Sequence, residues 1–116
     1  MKTFAQGEIY GRKIEALPDG LSKFTERCED GAWLISHSES GNHHVIDSAG
    51  VAIMERADGV PDGLRILYAI VDQPTKLRQD AGANAHESHD LDAGFYEIRI
   101  AREYDPFLKQ ARRVAD

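Results

Sequence analysis

Turn-forming residues recur along the chain at short intervals, and this spacing limits the folds that the chain can adopt. Examples are Pro18-Asp19-Gly20, Pro61-Asp62-Gly63 and Asp92-Ala93-Gly94. Each signal predicts a chain reversal, because glycine tolerates positive φ and proline pre-sets a turn. The runs between these signals are too short for stable helices but have the length of β-strands. The sequence therefore predicts an all-β protein.

Seven of these runs predict strands, and several alternate between apolar and polar residues as a half-buried strand does. The predicted strands are Glu8–Ile14, Ala32–His37, His43–Asp47, Val51–Glu55, Leu64–Val71, Thr75–Arg78 and Phe95–Ile100. Within the second run, Trp33, Ile35 and His37 share one face, so His37 points inward if Trp33 does. We expect about seven antiparallel strands, arranged as a β-barrel or as a sandwich.

A short helix is predicted at the end of the chain, over about residues 105–114. Asp105 is a suitable N-cap and Pro106 suits the first helical position. Apolar residues then follow at helical spacing up to Val114. The whole chain of 116 residues fits a single β-rich domain, residues 1–116, that carries this helix.

Composition excludes several classes of protein. Lysine and arginine total 14 against 20 acidic residues, so the formal charge is −6, which disfavours a general nucleic-acid coat. Cys28 is the only cysteine, which excludes an intramolecular disulfide and a cysteine-based zinc site. The sequence has neither a signal-peptide pattern nor an apolar run long enough to span a membrane. We expect a soluble cytoplasmic protein without a membrane partner.

All histidines fall in two short windows, which is the strongest functional signal in the sequence. The windows run from His37 to His44 and from His86 to His89, and they contain His37, His43, His44, His86 and His89. The first window spans a strand, a turn and the next strand, where cross-strand neighbours lie about 5 Å apart. His43 and His44 point to opposite faces of their strand, and the alternation alone does not choose which one faces a site.

Neutral imidazoles together with nearby carboxylates match the ligand preferences of zinc, nickel, manganese and iron. We expect a divalent metal ion held by His44, His86 and His89, with His37 as a further ligand or supporting residue, and with His43 replacing His44 if it faces inward. Glu39 or Glu87 would orient a ligand or act as the catalytic base on metal-bound water. The expected chemistry is metal-assisted hydrolysis or another small-molecule transformation.

Several motifs together resemble a group of small uncharacterised bacterial and phage proteins. They are Gln6-Gly7-Glu8, the segment from His37 to His44, His86-Glu87-Ser88-His89, Gly94-Phe95-Tyr96 and Arg102-Glu103-Tyr104. Asn42 departs from the pattern of the group, where a histidine is usual at this position. The order of the histidines is also loosely similar to that of cupins, which are small metal-binding β-barrels. These resemblances imply a role for the histidine windows without implying an activity.

Three alternatives to the metal site remain open. The two windows could carry out acid–base chemistry without a metal, because imidazoles titrate near neutral pH. They could bind a small anion or a nucleotide inside a barrel. The chain could instead be a non-catalytic, phage-type interaction protein that inhibits a host factor. The expected partner is thus a small molecule or a protein, nucleic acid is disfavoured, and the oligomeric state is open.

Overall fold

The computed structural model describes residues 3–36, 43–80 and 88–101, and these form ten β-strands. The strands are β1 (Thr3–Gln6), β2 (Ile9–Ile14), β3 (Leu21–Lys23), β4 (Trp33–Ser36), β5 (His43–Ile46), β6 (Val51–Arg56), β7 (Leu64–Val71), β8 (Thr75–Asp80), β9 (His89–Leu91) and β10 (Gly94–Ala101). All seven predicted strands are present. The helix predicted at about residues 105–114 lies outside the described residues.

The strands are divided between two antiparallel sheets that share one core. The larger sheet has the order β1-β2-β10-β7-β6-β3, and the smaller sheet has the order β4-β5-β8-β9. The strands of the described residues form two antiparallel sheets and do not close into a barrel, so the barrel alternative is wrong. Within the same part of the chain, no helix is long and apolar enough to cross a membrane.

Side-chain alternation on the central strands builds the core between the sheets. Tyr96, Ile98 and Ile100 point inward from β10, and all three are buried. Leu67 and Ala69 on the neighbouring strand β7 meet them in register and are fully buried. The smaller sheet contributes its own buried residues to the same cluster, which includes Ile35, Ile46, Leu77 and Leu91. This apolar layer holds the two sheets together.

Three strands were not predicted, namely β1, β3 and β9. Each has only three or four residues, so it contains too few positions for an alternating pattern to be recognised. Each lies at the edge of its sheet and pairs with one longer strand: β1 with β2, β3 with β6, and β9 with β8. They therefore depend on tertiary contacts rather than on local sequence preference.

A β-bulge in β4 changes the prediction for the first histidine window. Trp33 and Leu34 pair with successive residues of β5, but the register then shifts so that Ser36 lies opposite His44. Because a bulge adds one residue to a strand, Ile35 and Ser36 are both buried, and the strict alternation expected for this strand is wrong. Strand β4 ends at Ser36, and His37, which follows it, lies outside the described residues.

The first residue of β4 and the segment before it connect the two sheets along one side. The indole Nε1 of Trp33 donates a hydrogen bond of 2.9 Å to the backbone carbonyl of Val51 on the larger sheet. The guanidinium of Arg27 lies 4.1 Å from the centre of the Trp33 ring system, and Phe24 packs against the same ring. These contacts fix one edge of the smaller sheet, and the polar site described below lies farther along β4.

Candidate functional site

The site begins at the tight turn between β1 and β2, which places two polar side chains on either side of a glycine. Gln6 ends β1, Gly7 has φ of 58°, and Glu8 precedes β2. This φ lies in the left-handed region that side chains with a β-carbon disfavour. A β-carbon on Gly7 would also lie 3.2 Å from both Cε1 and Nε2 of His44. The turn and the histidine ring are therefore in direct contact.

His44 lies on the inner face of β5 and is only 2% exposed. Its Nδ1 atom is 2.6 Å from the amide oxygen Oε1 of Gln6. Its Nε2 atom is 3.1 Å from the carboxylate oxygen Oε1 of Glu8. Both ring nitrogens are thus held by the turn between β1 and β2. The imidazole has one defined orientation because it is buried and contacted at both nitrogens.

The protonation of the His44–Glu8 pair depends on the atoms that face each ring nitrogen of His44. With the Gln6 oxygen as the acceptor, Nδ1 must carry a proton. A neutral ring would then direct the lone pair of Nε2 at a carboxylate oxygen of Glu8, which is repulsive. A proton between Nε2 and Glu8, carried by either group, or a metal cation would remove this repulsion.

Ser36 completes the cluster from the smaller sheet. Its hydroxyl donates a hydrogen bond to Oε2 of Glu8, so the two carboxylate oxygens have different partners. The bulge in β4 makes this possible, since it brings Ser36 to the inner face beside His44. The side chain of Glu8 is 29% exposed, whereas that of His44 is 3% exposed. Solvent and small solutes can therefore approach the site at the carboxylate rather than at the ring.

The structure separates the two histidines that the sequence alone did not distinguish. His44 faces inward, and His43 lies on the opposite face of β5, where it is half-buried. His89 is on β9, and its ring stacks on Phe4 with 5.9 Å between ring centroids. These three histidines do not form a common cluster. Within the described residues, no group of three or more His, Cys, Asp or Glu side chains could hold a metal ion.

Four further predicted site residues, His37, Glu39, His86 and Glu87, lie outside the described residues. The described strand ends nearest to them belong to the smaller sheet. His43, which starts β5, pairs with Asp80, which ends β8. The next pair in this register is His44 with Gln79.

The roles of Gln6, Glu8 and Ser36 were not predicted from the sequence. Gln6-Gly7-Glu8 did contain a signal, because two polar residues flank a glycine, which is a residue that favours chain reversal. Nothing in the sequence indicates that this turn contacts a residue 38 positions away in the chain. Ser36 could not be assigned, because regular alternation places it on the outer face.

Comparison with protein families yields a match over most of the chain. A family described as Domain of unknown function (DUF8820) matches residues 5–101. The chain belongs to this family. The match contains all four site residues and both histidine windows, and the expectation of an uncharacterised family is confirmed. Membership in DUF8820 supports neither a cupin nor a phage relationship. No match was found among curated proteins or among solved structures.

Proposed function

We propose that this protein binds a divalent metal ion through Glu8 and His44. One observation carries the proposal: Nε2 of His44 and Oε1 of Glu8 lie 3.1 Å apart. Nitrogen and carboxylate ligands bind zinc at about 2.0–2.2 Å, so two ligands of one ion at octahedral or tetrahedral angles are about 2.9–3.4 Å apart. The observed separation falls within this range, and a cation between the two atoms would remove the repulsion between the lone pair of Nε2 and the carboxylate.

The partners of the two ligands support the same role. A metal-binding histidine usually donates its other ring N–H to an oxygen acceptor, which fixes the ring and its tautomer. Gln6 supplies such an acceptor at Nδ1, at 2.6 Å. Ser36 holds the second carboxylate oxygen of Glu8. Both ligands are therefore oriented before an ion arrives, which lowers the entropy cost of binding.

Two protein ligands leave positions on the ion to be filled. Within the proposal, His37 and His86 are further ligands, as the sequence predicts, and His37 directly follows Ser36, which lies opposite His44. His89 is a weaker assignment than it was from sequence, since no described cluster joins it to Glu8 and His44. Water at an open position would be activated for hydrolysis of a small polar molecule, with Glu39 or Glu87 as the base.

A second candidate function rests on the same two distances. If a second proton on the ring lies between Nε2 and Glu8 in place of a metal cation, His44 and Glu8 form a metal-free acid–base pair, in which the exposed carboxylate exchanges protons with a small molecule. This candidate corresponds to the metal-free acid–base chemistry that the sequence left open as an alternative. It requires a doubly protonated ring, in which both Nδ1 and Nε2 carry hydrogen atoms.

Metal analysis separates the two candidates. The protein is purified without a histidine tag, its metal content is measured by mass spectrometry, and zinc, nickel and manganese are titrated by calorimetry. Metal binding predicts about one ion per chain. Fewer than about 0.2 ions per chain, together with no thermal shift on adding these metals, would refute the metal candidate. Nitrogen NMR of the His44 ring then tests the acid–base candidate, which requires both ring nitrogens to carry protons.

Matched variants test the assignment of the ligands. His44→Ala and Glu8→Gln should each abolish metal binding or weaken it on the order of 100-fold, because the first removes the ligand nitrogen and the second removes the negative charge of the ligand carboxylate. His43→Ala is the control, since His43 is the adjacent histidine on the opposite face of the same strand. Glu8→Gln keeps the size of the side chain, so it tests the charge even if His44→Ala destabilises the fold. Equal affinities for Glu8→Gln and the wild type would exclude Glu8 as a ligand.

A further inference from the structure

A second polar cluster lies on the outer face of the larger sheet, away from His44. Glu97 on β10 lies in register with Arg12 on β2 and with Tyr68 on β7. Its neighbours Tyr96 and Ile98 point into the core, so Glu97 points outward. It is nevertheless only 7% exposed. A carboxylate that is this well covered on a sheet surface requires charged or hydrogen-bonding partners.

Two arginines and one tyrosine supply those partners. Nε of Arg12 and Nε of Arg99 both donate to Oε1 of Glu97, at 3.1 Å and 3.0 Å. The hydroxyl of Tyr68 donates to Oε2 at 3.3 Å. Burial of Glu97 opposes its ionisation, but the hydrogen bonds and charges of the two arginines outweigh this effect and lower its pKa. The carboxylate is thus ionised at neutral pH, and with both guanidinium groups the cluster carries a charge of +1.

The two guanidinium groups are held close together with most of their donors unused. Because both Nε atoms contact the same oxygen, they are no more than about 6 Å apart, the sum of the two distances. The side chains of Arg12 and Arg99 are 43% and 47% exposed. Throughout the described ranges, their terminal nitrogens have no hydrogen-bond partner. Four amino groups therefore have no partner among the described residues, and they have the donors to bind a ligand.

The surroundings favour an anionic ligand. The chain carries a formal charge of −6, so a cluster of +1 is a local exception on an acidic protein. Tyr10 lies in register with Arg99 on the same face. It is 50% exposed, and no other large hydrophobic side chain of the described residues is exposed. The ring of Tyr10 offers a flat apolar surface next to the arginine pair.

We propose that Arg12 and Arg99 form a binding site for a phosphate group. Guanidinium groups bind phosphate through paired N–H donors, and two of them can contact different oxygens of one tetrahedral anion. Glu97 fixes their positions before the anion binds, so less side-chain entropy is lost on binding. The phosphate could be free or attached to an aromatic group such as a nucleoside, which would contact Tyr10. This site is independent of the metal site proposed above.

The proposal is tested by titrating the full chain with inorganic phosphate and, separately, with adenosine monophosphate at constant ionic strength. Binding is measured from the shifts of the amide NMR signals. Arg12→Lys and Arg99→Lys keep the positive charge but remove the planar pair of donors, so each should weaken phosphate binding by about tenfold. Arg78→Lys is the control, because Arg78 is paired with Asp47 on the smaller sheet. Its affinity for phosphate should equal that of the wild type.

The outcomes also identify the source of the phosphate. Tighter binding of adenosine monophosphate, with the advantage lost in Tyr10→Ala, supports an aromatic phosphate ester. Equal binding of both probes supports free phosphate. The proposal is overturned if neither probe shifts the amides near Arg12 and Arg99. It is also overturned if both lysine variants retain the affinity of the wild type, since the guanidinium geometry would then be irrelevant.

Discussion

Replacing Gly7 by alanine tests the contact on which the candidate site depends. Gly7 has φ of 58°, and a β-carbon there would lie 3.2 Å from two atoms of the His44 ring. The substitution therefore lowers the free energy of unfolding in two ways, through backbone strain at positive φ and through steric overlap with the His44 ring. Gly59→Ala carries the backbone cost alone, because Gly59 has φ of 72° and a β-carbon there would meet no atom within 4 Å.

The expected magnitudes follow from these two costs. An alanine in the left-handed region costs about 1–2 kcal/mol, partly offset by about 0.4–1 kcal/mol from the lower entropy of the unfolded chain. Overpacking against the buried His44 adds about 1–3 kcal/mol, because its ring is held at both nitrogens and cannot move without straining those contacts. We expect Gly59→Ala to lower the free energy of unfolding by about 1 kcal/mol and Gly7→Ala to lower it by about 2–4 kcal/mol.

The assay is urea denaturation followed by the fluorescence of Trp33, which is the only tryptophan in the chain. Gly20→Ala is a second control, since Gly20 also has positive φ and open space around it. Equal destabilisation by Gly7→Ala and the two controls would refute the reasoning, because the His44 ring would then not lie against the turn. Gly7→Ala should also weaken metal binding about 10- to 100-fold, as the loss of an orienting contact does.

Three further predictions concern other parts of the fold. Glu97→Gln should destabilise the protein by about 2 kcal/mol at pH 7, because charge-assisted hydrogen bonds are lost. The folded pKa of Glu97 is lowered from 4.5, so this difference should shrink in acid denaturation curves as the pH falls below 4.5 and through the folded pKa. Burial and the charge of Asp92 raise the pKa of Tyr96 to about 12. The wild type should therefore lose stability as the pH rises from about 10 to 12, and Tyr96→Phe should lack this loss in the same measurement. Arg27→Met should cost about 0.5–1 kcal/mol in urea denaturation and should change the emission of Trp33, because it removes a cation–π contact.

The prediction of strands from sequence succeeded where a strand is long enough to show its pattern. Leu64–Val71 and Phe95–Ile100 are each at least six residues long and rich in apolar and aromatic residues, and both lie in central strands of the larger sheet. The spacing of the turns also predicted the all-β class. By contrast, the sequence could not separate a barrel from a sandwich, because both use the same antiparallel strands and differ only in how the sheet edges meet.

The histidine windows were a partial guide to the candidate site. They drew attention to His44, which the structure buries, but they also included His43 on the opposite face. Which of the two histidines is buried depends on which face of β5 packs against the larger sheet. In the sequence, the face with His43 and Val45 is as regular as the face with His44 and Ile46. The role of Ser36 depends on the bulge in β4, which reverses the face that alternation predicts for it.

The sequence by itself determined the strand content, the positions of the turns and the concentration of histidines, because these follow from local geometry and residue chemistry. Only the tertiary structure decided that His44 meets Gln6 and Glu8, since these residues come from different sheets and lie far apart in the chain. Packing the sheets together buries the imidazole, and burial makes its two polar neighbours necessary. The contact between the β1–β2 turn and His44 is therefore a product of the fold.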